Sequence, residues 1–453
     1  MSMLGPIISI VFIVAVAWLL LKKYYPHAVL LFAGMIMLVL AWILNYQLPV
    51  LPSSTGSTGL DFFRFITNSF EETNIGVGLM IMAIGGFVAY IDKIGASDAL
   101  VYIAMKPLSL LKKYPHVTAS AVIPIGQLLF VCIPSAAGMG LLLMASIFPI
   151  LVNLGVSRLS AVSVITACTA FGIGPASAIT ASAAEIVDES QISFFVVRQI
   201  PLVIPLSIVV AVVYFFVNRY FDKKNGVDQK EELEVKSKPN VPLYYAIIPV
   251  LPLILLIVFS EIFSFFRTPI VLDTTTAMFV SLFIALLFEL IRTRNLGQVM
   301  NSLSIFWSGM GNIFKTVVTL IIAADIFSKG LISLGFIQGL VNVTEHIGLG
   351  GAGVGIVMVI MIFLASMLMG SGNASFFAFG PLVPNIAAKL GVKSALMILP
   401  MNLAASMGRT VSPVAGVIIA TAEIAEVTTL EIVKRNLIPL GTALVVMLIY
   451  HFI

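Results

Sequence analysis

The sequence predicts an all-α polytopic membrane protein built as an inverted-topology repeat, with about five transmembrane helices, discontinuous helices and one re-entrant hairpin per half. Three observations lead there. Of 453 residues, 60% are hydrophobic and 10% charged, whereas a soluble domain is about a quarter charged. Residues 8–21, 28–44, 203–217, 246–259 and 276–288 form apolar runs free or nearly free of charge, and a helix of about 20 such residues crosses about 30 Å of hydrocarbon. Finally, residues 151–187 can be laid over residues 386–425 with matched glycine, proline and glutamate positions.

Taken in order, the N-terminal run has no basic segment ahead of it and no small-residue cleavage site, so it reads as a retained first helix. The segments KKYYPH (22–27) and KKYPH (112–116) combine lysine, tyrosine and proline where the chain turns, and read as anchors at headgroup level. Residues 117–157 carry no charge over 41 positions and are broken near the middle by PSAAG at 134–138. A tip without charge has nothing to hold it among headgroups, so this stretch predicts a hairpin that re-enters the membrane, where protein or a water-filled cavity satisfies its irregular backbone. The following span is interrupted by Gly172, Gly174 and Pro175. Proline removes an amide donor there and glycine favours unwinding. The hydrophilic run NRYFDKKNGVDQKEELEVKSKPN (218–240) reads as a cytoplasmic linker, which divides the chain into a first membrane repeat (1–217), a linker (218–241) and a second, inverted repeat (242–453).

The second half runs through the same features. Residues 347–388 are uncharged over 42 positions and broken by GSGNAS at 370–375, and the next span is interrupted at residues 408–413 by GRTVSP. The offset between halves is 236 at Gly155/Gly391 and 238 from Pro175/Pro413 through Glu185/Glu423 to Pro201/Pro439, with Ile94-Gly95 against Leu334-Gly335 as support. An odd number of crossings per half places the second copy upside down, the architecture of secondary transporters. With Lys22 and Lys23 inside, eighteen basic residues fall on that side and six on the other, the bias expected of a cytoplasmic face, and both termini then face outward.

Several classes are excluded. A net charge of +4 gives no basic stripe for nucleic acid. Cys132 and Cys168 lie in apolar stretches without metal-ligand spacing. The four histidines, 27, 116, 346 and 451, stand at segment ends, leaving no base for a nucleophile at depth, and no phosphate-binding GxxxxGK[ST] loop is present. Neither an enzyme nor an ATP-driven pump is expected.

Each hairpin tip and each interrupted helix places a half-helix N-terminus near the midplane, where free N–H groups suit an anion, while the opposing C-terminal carbonyls suit a cation. Arg409 is the one basic residue in the middle of an apolar span, a placement costing at least about 2.5 kcal/mol. Its planar fork suits a substrate carboxylate, and its counterpart in the first half is Ile173. The expected substrate site draws Ser135, Ala136, Gly138, Thr169 and Ser177 from the first half. From the second it draws Ser371, Gly372, Asn373, Ser375, Asn402, Ser406, Arg409, Thr410 and Ser412. Asn373 and Asn402 could ligate Na⁺ or hydrogen-bond a carboxylate, and Asp325 is a proton-relay candidate, so these three are the ion-coupling candidates. Glu185 and Glu423 fall ten residues past their prolines, about 15 Å along a helix and so near the edge of the hydrocarbon.

With PSAAGMG, GSGNASFFAFGPLVPNIA and SMGRTVSPVAG in view, the chain resembles, over its full length, the DcuC-type anaerobic C4-dicarboxylate carriers of the ion transporter superfamily. That resemblance implies a multi-pass secondary transporter of the bacterial inner membrane for succinate, fumarate, malate or aspartate, working by exchange (antiport) or cation-coupled symport with alternating access. Another organic anion (citrate, gluconate or an acidic amino-acid derivative) is the alternative substrate, and an anion channel the alternative class. The superfamily's Ser-Asn-Thr tip signature is matched imperfectly: the second tip has Ser371 and Asn373, whereas the first has Ser135 followed by Ala136 and Ala137. No cofactor is implied beyond Na⁺ or H⁺ as a coupling ion. The expected partners are the dicarboxylate and the lipid bilayer, with a homodimer left open.

Overall fold

Inside lipid every backbone N–H and C=O must find a partner within the protein, and a helix meets that demand segment by segment. The computed structural model describes residues 4–111, 113–224, 233, 239–260, 262, 270–346 and 350–452, and among them there is no strand. The first half comprises α1 (Leu4–Leu21), α2 (Pro26–Ile43), α3 (Thr58–Lys93), α4 (Ala96–Met105), α5 (Pro115–Cys132), α6 (Ala136–Ser146), α7 (Arg158–Ala167), α8 (Ala178–Ile186) and α9 (Gln191–Lys224). The second comprises α10 (Leu243–Val258), α11 (Thr274–Thr293), α12 (Leu296–Ser333), α13 (Phe336–His346), α14 (Gly351–Met369), α15 (Gly372–Phe379), α16 (Ser394–Thr410), α17 (Gly416–Ala425) and α18 (Thr429–Phe452). Two short helices, Phe148–Asn153 and Val383–Leu390, follow α6 and α15. Eight of the described helices are long and apolar enough to cross a membrane, so the chain is an all-helical, multi-pass membrane protein.

The long third element of each half shows the correspondence in detail. α3 has 36 residues and α12 has 38; α3 kinks at Gly76 (φ −79°, ψ −114°) within Asn74–Gly78, and α12 loosens into a π turn at Phe314–Val318. Such one-turn widenings recur at functional sites. Gly95 and Gly335, which follow the two helices, both take the left-handed conformation. The halves interlock: α2 and α3 pack along α12, and α9 packs along α18. Small residues make the closest approach, Gly86 of α3 lying against Gly309 of α12, as is usual where helices meet in a membrane.

One boundary differs from the sequence expectation. α9 continues to Lys224, seven residues into the stretch read as linker, because two of its polar residues are buried and paired. Asp222 accepts hydrogen bonds from Ser157 (2.8 Å) and Ser160 (2.7 Å) and faces Arg435 of α18 at 3.3 Å. Asn218 shares its amide with Ser163 and Arg435. Residues 225–232 and 234–238 of the linker lie outside the described residues.

Candidate functional site

The two predicted hairpins turn by the same device. After α5 the chain passes through Pro134 to Ser135, whose Oγ accepts the Gly138 N–H (3.1 Å) and starts α6. After α14, Gly370 ends the helix in the left-handed conformation (φ +70°), and Ser371 Oγ accepts the Ala374 N–H (3.2 Å) to start α15. A Cβ at Gly370 would stand 2.9 Å from the backbone of Val414 and Ala415, so only glycine lets this tip rest on the break between α16 and α17. Each capping serine uses a lone pair on its own helix. Its hydroxyl proton therefore remains to donate outward, beside the first-turn amides of Ala136 and Ala137 and of Gly372 and Asn373.

The interrupted helices meet these tips. Between α7 and α8, Gly172 (φ +60°) packs against α16 so closely that a Cβ would lie 2.2 Å from Ser406 Oγ. Gln199 of α9 ties the two breaks together: it accepts from the Gly174 N–H (3.2 Å) and donates to Thr180 Oγ1 (2.9 Å) and to Asn402 Oδ1 (2.8 Å). Tips and breaks enclose a cavity of about 450 Å³, within the roughly 300–1,000 Å³ usual for small-molecule sites. Ser135 and Ala136 line it from the first tip, Gly370, Ser371, Gly372 and Asn373 from the second, Gly172 and Ser177 from the first break, and Ser406 and Arg409 from α16.

Arg409 donates to the Thr169 carbonyl (2.6 Å), which a helix interruption leaves free. Its Nε is buried without a hydrogen-bond partner, and among the described residues it forms no ion pair with a carboxylate. Asn402 Nδ2 and Ser406 Oγ are likewise buried and unpartnered. Spaced four and seven residues from Asn402, the three groups share one face of α16. A polar atom buried without a partner costs about 1–3 kcal/mol, so such a row marks a place prepared for another molecule.

Other expected site residues are held elsewhere. Gly138 serves the cap of its own tip. The Thr169 hydroxyl bonds to the Thr166 carbonyl and only its carbonyl reaches Arg409. Ser375 bonds back to Gly372 and to Ser366 in the core. Asn402 is committed through its oxygen to Gln199. Thr410 bonds to the Ser406 carbonyl and Ser412 to the Val414 N–H. Asp325 lies outside the cavity wall, accepting from Lys329 (2.7 Å) and Ser69 (2.5 Å). Apart from Asn402 Nδ2, which stays unpartnered, these polar groups are spent on protein partners, and none of these residues lines the cavity. Glu185 and Glu423 are exposed, and both cysteines are free thiols. Asp92 of α3 and Asn312 of α12 also line the cavity and have no counterpart in the sequence reading. Asp92 stands beside Lys93 at a helix end, where charge is unremarkable, and Asn312 precedes a π turn that no residue type announces.

Known proteins resemble this chain over nearly its full length. The sequence model of the family described as the C4-dicarboxylate anaerobic carrier, DcuC, matches residues 4–453. A Vibrio cholerae protein named as a probable anaerobic C4-dicarboxylate transporter DcuC is 36% identical over 99% of this chain and 97% of its own. The anaerobic C4-dicarboxylate transporter DcuC of Escherichia coli K12 is 34% identical over 98% and 95%. Among solved structures, the YdaH transporter of Alcanivorax borkumensis superposes with a TM-score of 0.64 at 12% identity, covering 94% of this chain and 97% of its own. MtrF of Neisseria gonorrhoeae, from a class of antimetabolite efflux pumps, gives 0.53 at 14% identity over 95% and 94%. At those identities the structural likeness shows a shared fold.

Proposed function

The chain belongs to the DcuC family of anaerobic C4-dicarboxylate carriers, and from that premise we propose that it moves succinate, fumarate, malate and aspartate by alternating access through the cavity between the hairpin tips. It is a multi-pass transporter of the bacterial inner membrane and not an enzyme. The observation that carries the substrate reading is Arg409, which lines the cavity with a buried, unpartnered Nε and with no carboxylate paired to it among the described residues. One substrate carboxylate completes its fork beside Ser406. The other reaches the amides and capping hydroxyls of the tips, where two helix N-termini favour negative charge. Two separated anion-binding ends select a dicarboxylate over a monocarboxylate. Asn373, at the second tip, is the further donor in reach. In an inverted repeat, moving the two hairpins and their broken helices past the remaining helices opens this site to one side and then the other.

Purified protein in liposomes preloaded with unlabelled succinate tests this by uptake of labelled succinate, with fumarate, malate, aspartate and citrate as competitors. Saturable counterflow suppressed by the C4 acids is expected. Absence of counterflow for every C4-dicarboxylate removes the substrate reading, and non-saturating flux without counterflow makes the protein a channel.

A further inference from the structure

The cavity contains one carboxylate among the described residues that line it, and the substrate reading gives it nothing to do. Asp92 is the penultimate residue of α3, so the helix C-terminal carbonyls already place negative potential around it. One of its oxygens accepts from Ser97 in the first turn of α4. The other faces the first hairpin: a methyl group built on Gly138 would lie 3.8 Å from it, and Ser135, the cap of that tip, lines the same cavity. The side chain is exposed to that space. The elements packed on this part of α3 bring few other charges. These are Asp98 on α4, the Glu289–Arg292 pair on α11 (2.9 Å) and Lys315 in the π turn of α12, with Lys93 adjacent in sequence; α6 and α10 carry none. None of these five residues lines the cavity.

With Arg409 as its one cation, the empty wall is neutral. A dianion makes it doubly negative, and a fixed carboxylate sharing the site opposes the dianion unless it is neutralised. We propose that Asp92 is that group: its carboxylate oxygen takes a proton from water at the cavity mouth as the dicarboxylate binds, and returns it to water on the other side as the substrate leaves. One O–H bond forms and breaks per cycle, so each dianion travels with one proton. This deepens the dicarboxylate reading and rests on it.

Fumarate binding to the purified full-length protein, measured from about pH 6 to about pH 8, where both fumarate carboxyls are ionised, tests the assignment. For the unmodified protein the dissociation constant should rise towards about tenfold per pH unit above the carboxyl's titration. Asp92→Asn imitates the protonated state, so its binding should be flat with pH and, at about pH 8, tighter than that of the unmodified protein by about tenfold. Asp92→Glu should keep a slope with a shifted midpoint. A sloping profile in Asp92→Asn, flat binding in the unmodified protein, or dependence on Na⁺ in place of pH overturns the proposal. If Asp92→Asn cannot be recovered folded, Asp92→Glu decides, an unshifted profile counting against it. Failure of the unmodified protein to bind any C4-dicarboxylate at about pH 6 removes the substrate reading and this proposal with it, an outcome distinct from pH-independent binding.

Discussion

At the scale of single residues, Arg409 and Gly172 carry the sharpest expectations. Arg409→Gln removes the one cation among the described residues of the cavity wall and should lower succinate counterflow at least about tenfold, the equivalent of about 1.4 kcal/mol of lost carboxylate pairing. Arg409→Lys retains charge without the planar fork and should fall between the two. Gly172→Ala places a methyl into the space of Ser406 at a backbone conformation that suits glycine, and thermal unfolding in detergent should show a loss of more than about 1 kcal/mol. Arg409 was legible in the sequence because a charge within an apolar run has few tolerable explanations. Asp92 was not, since a lysine neighbour and a helix end make an aspartate look like ordinary interface. Thr410, Ser375 and Asn402 are legible as polar residues near a break or a tip. Which of them look into the cavity is decided by partners such as Gln199, and spacing alone does not reveal those.

At the scale of elements, the hairpin tips and broken helices depend on a few caps and one bridge. Ser135→Ala and Ser371→Ala each remove an N-cap and should cost about 1 kcal/mol of stability, together with a loss of dicarboxylate affinity, because the same hydroxyls face the cavity. Gln199→Leu should be the costlier change. It strands the Gly174 N–H and Asn402 Oδ1, at about 1–3 kcal/mol for each group left unpaired, takes a donor from Thr180 Oγ1, which keeps its bond to the Gly172 carbonyl, and would loosen α9 from the first break and from α16. The breaks were legible because glycine and proline have direct backbone consequences. The reach of α9 through Asp222 was not, since its reason lies in Arg435 and Ser160, far away in the chain. The π turn of α12 leaves no compositional mark, and Asn312 stands just before it.

Across the whole molecule, the two halves are held together by interlocking α3 and α12 and by the buried pairing of Asp222 on α9 with Arg435 on α18. Arg435→Met leaves Asp222 as an uncompensated buried charge and should destabilise by about 3–5 kcal/mol, whereas Asp222→Asn together with Arg435→Met should recover part of that loss; melting curves of both variants decide it. The 236–238 offset is readable in the sequence because helix breakers and turns recur where composition alone would look uniform. Convergence of the four interruptions on one cavity is a property of the packed structure. That convergence is the central claim, and succinate-dependent thermal stabilisation of the purified protein tests it most directly. Ligand at about a hundred times its dissociation constant should stabilise the unmodified protein by about 2.7 kcal/mol, butyrate should not, and Arg409→Gln should melt at a temperature that succinate leaves unchanged. An equal succinate-dependent rise in both proteins would place the dicarboxylate away from Arg409 and contradict the account.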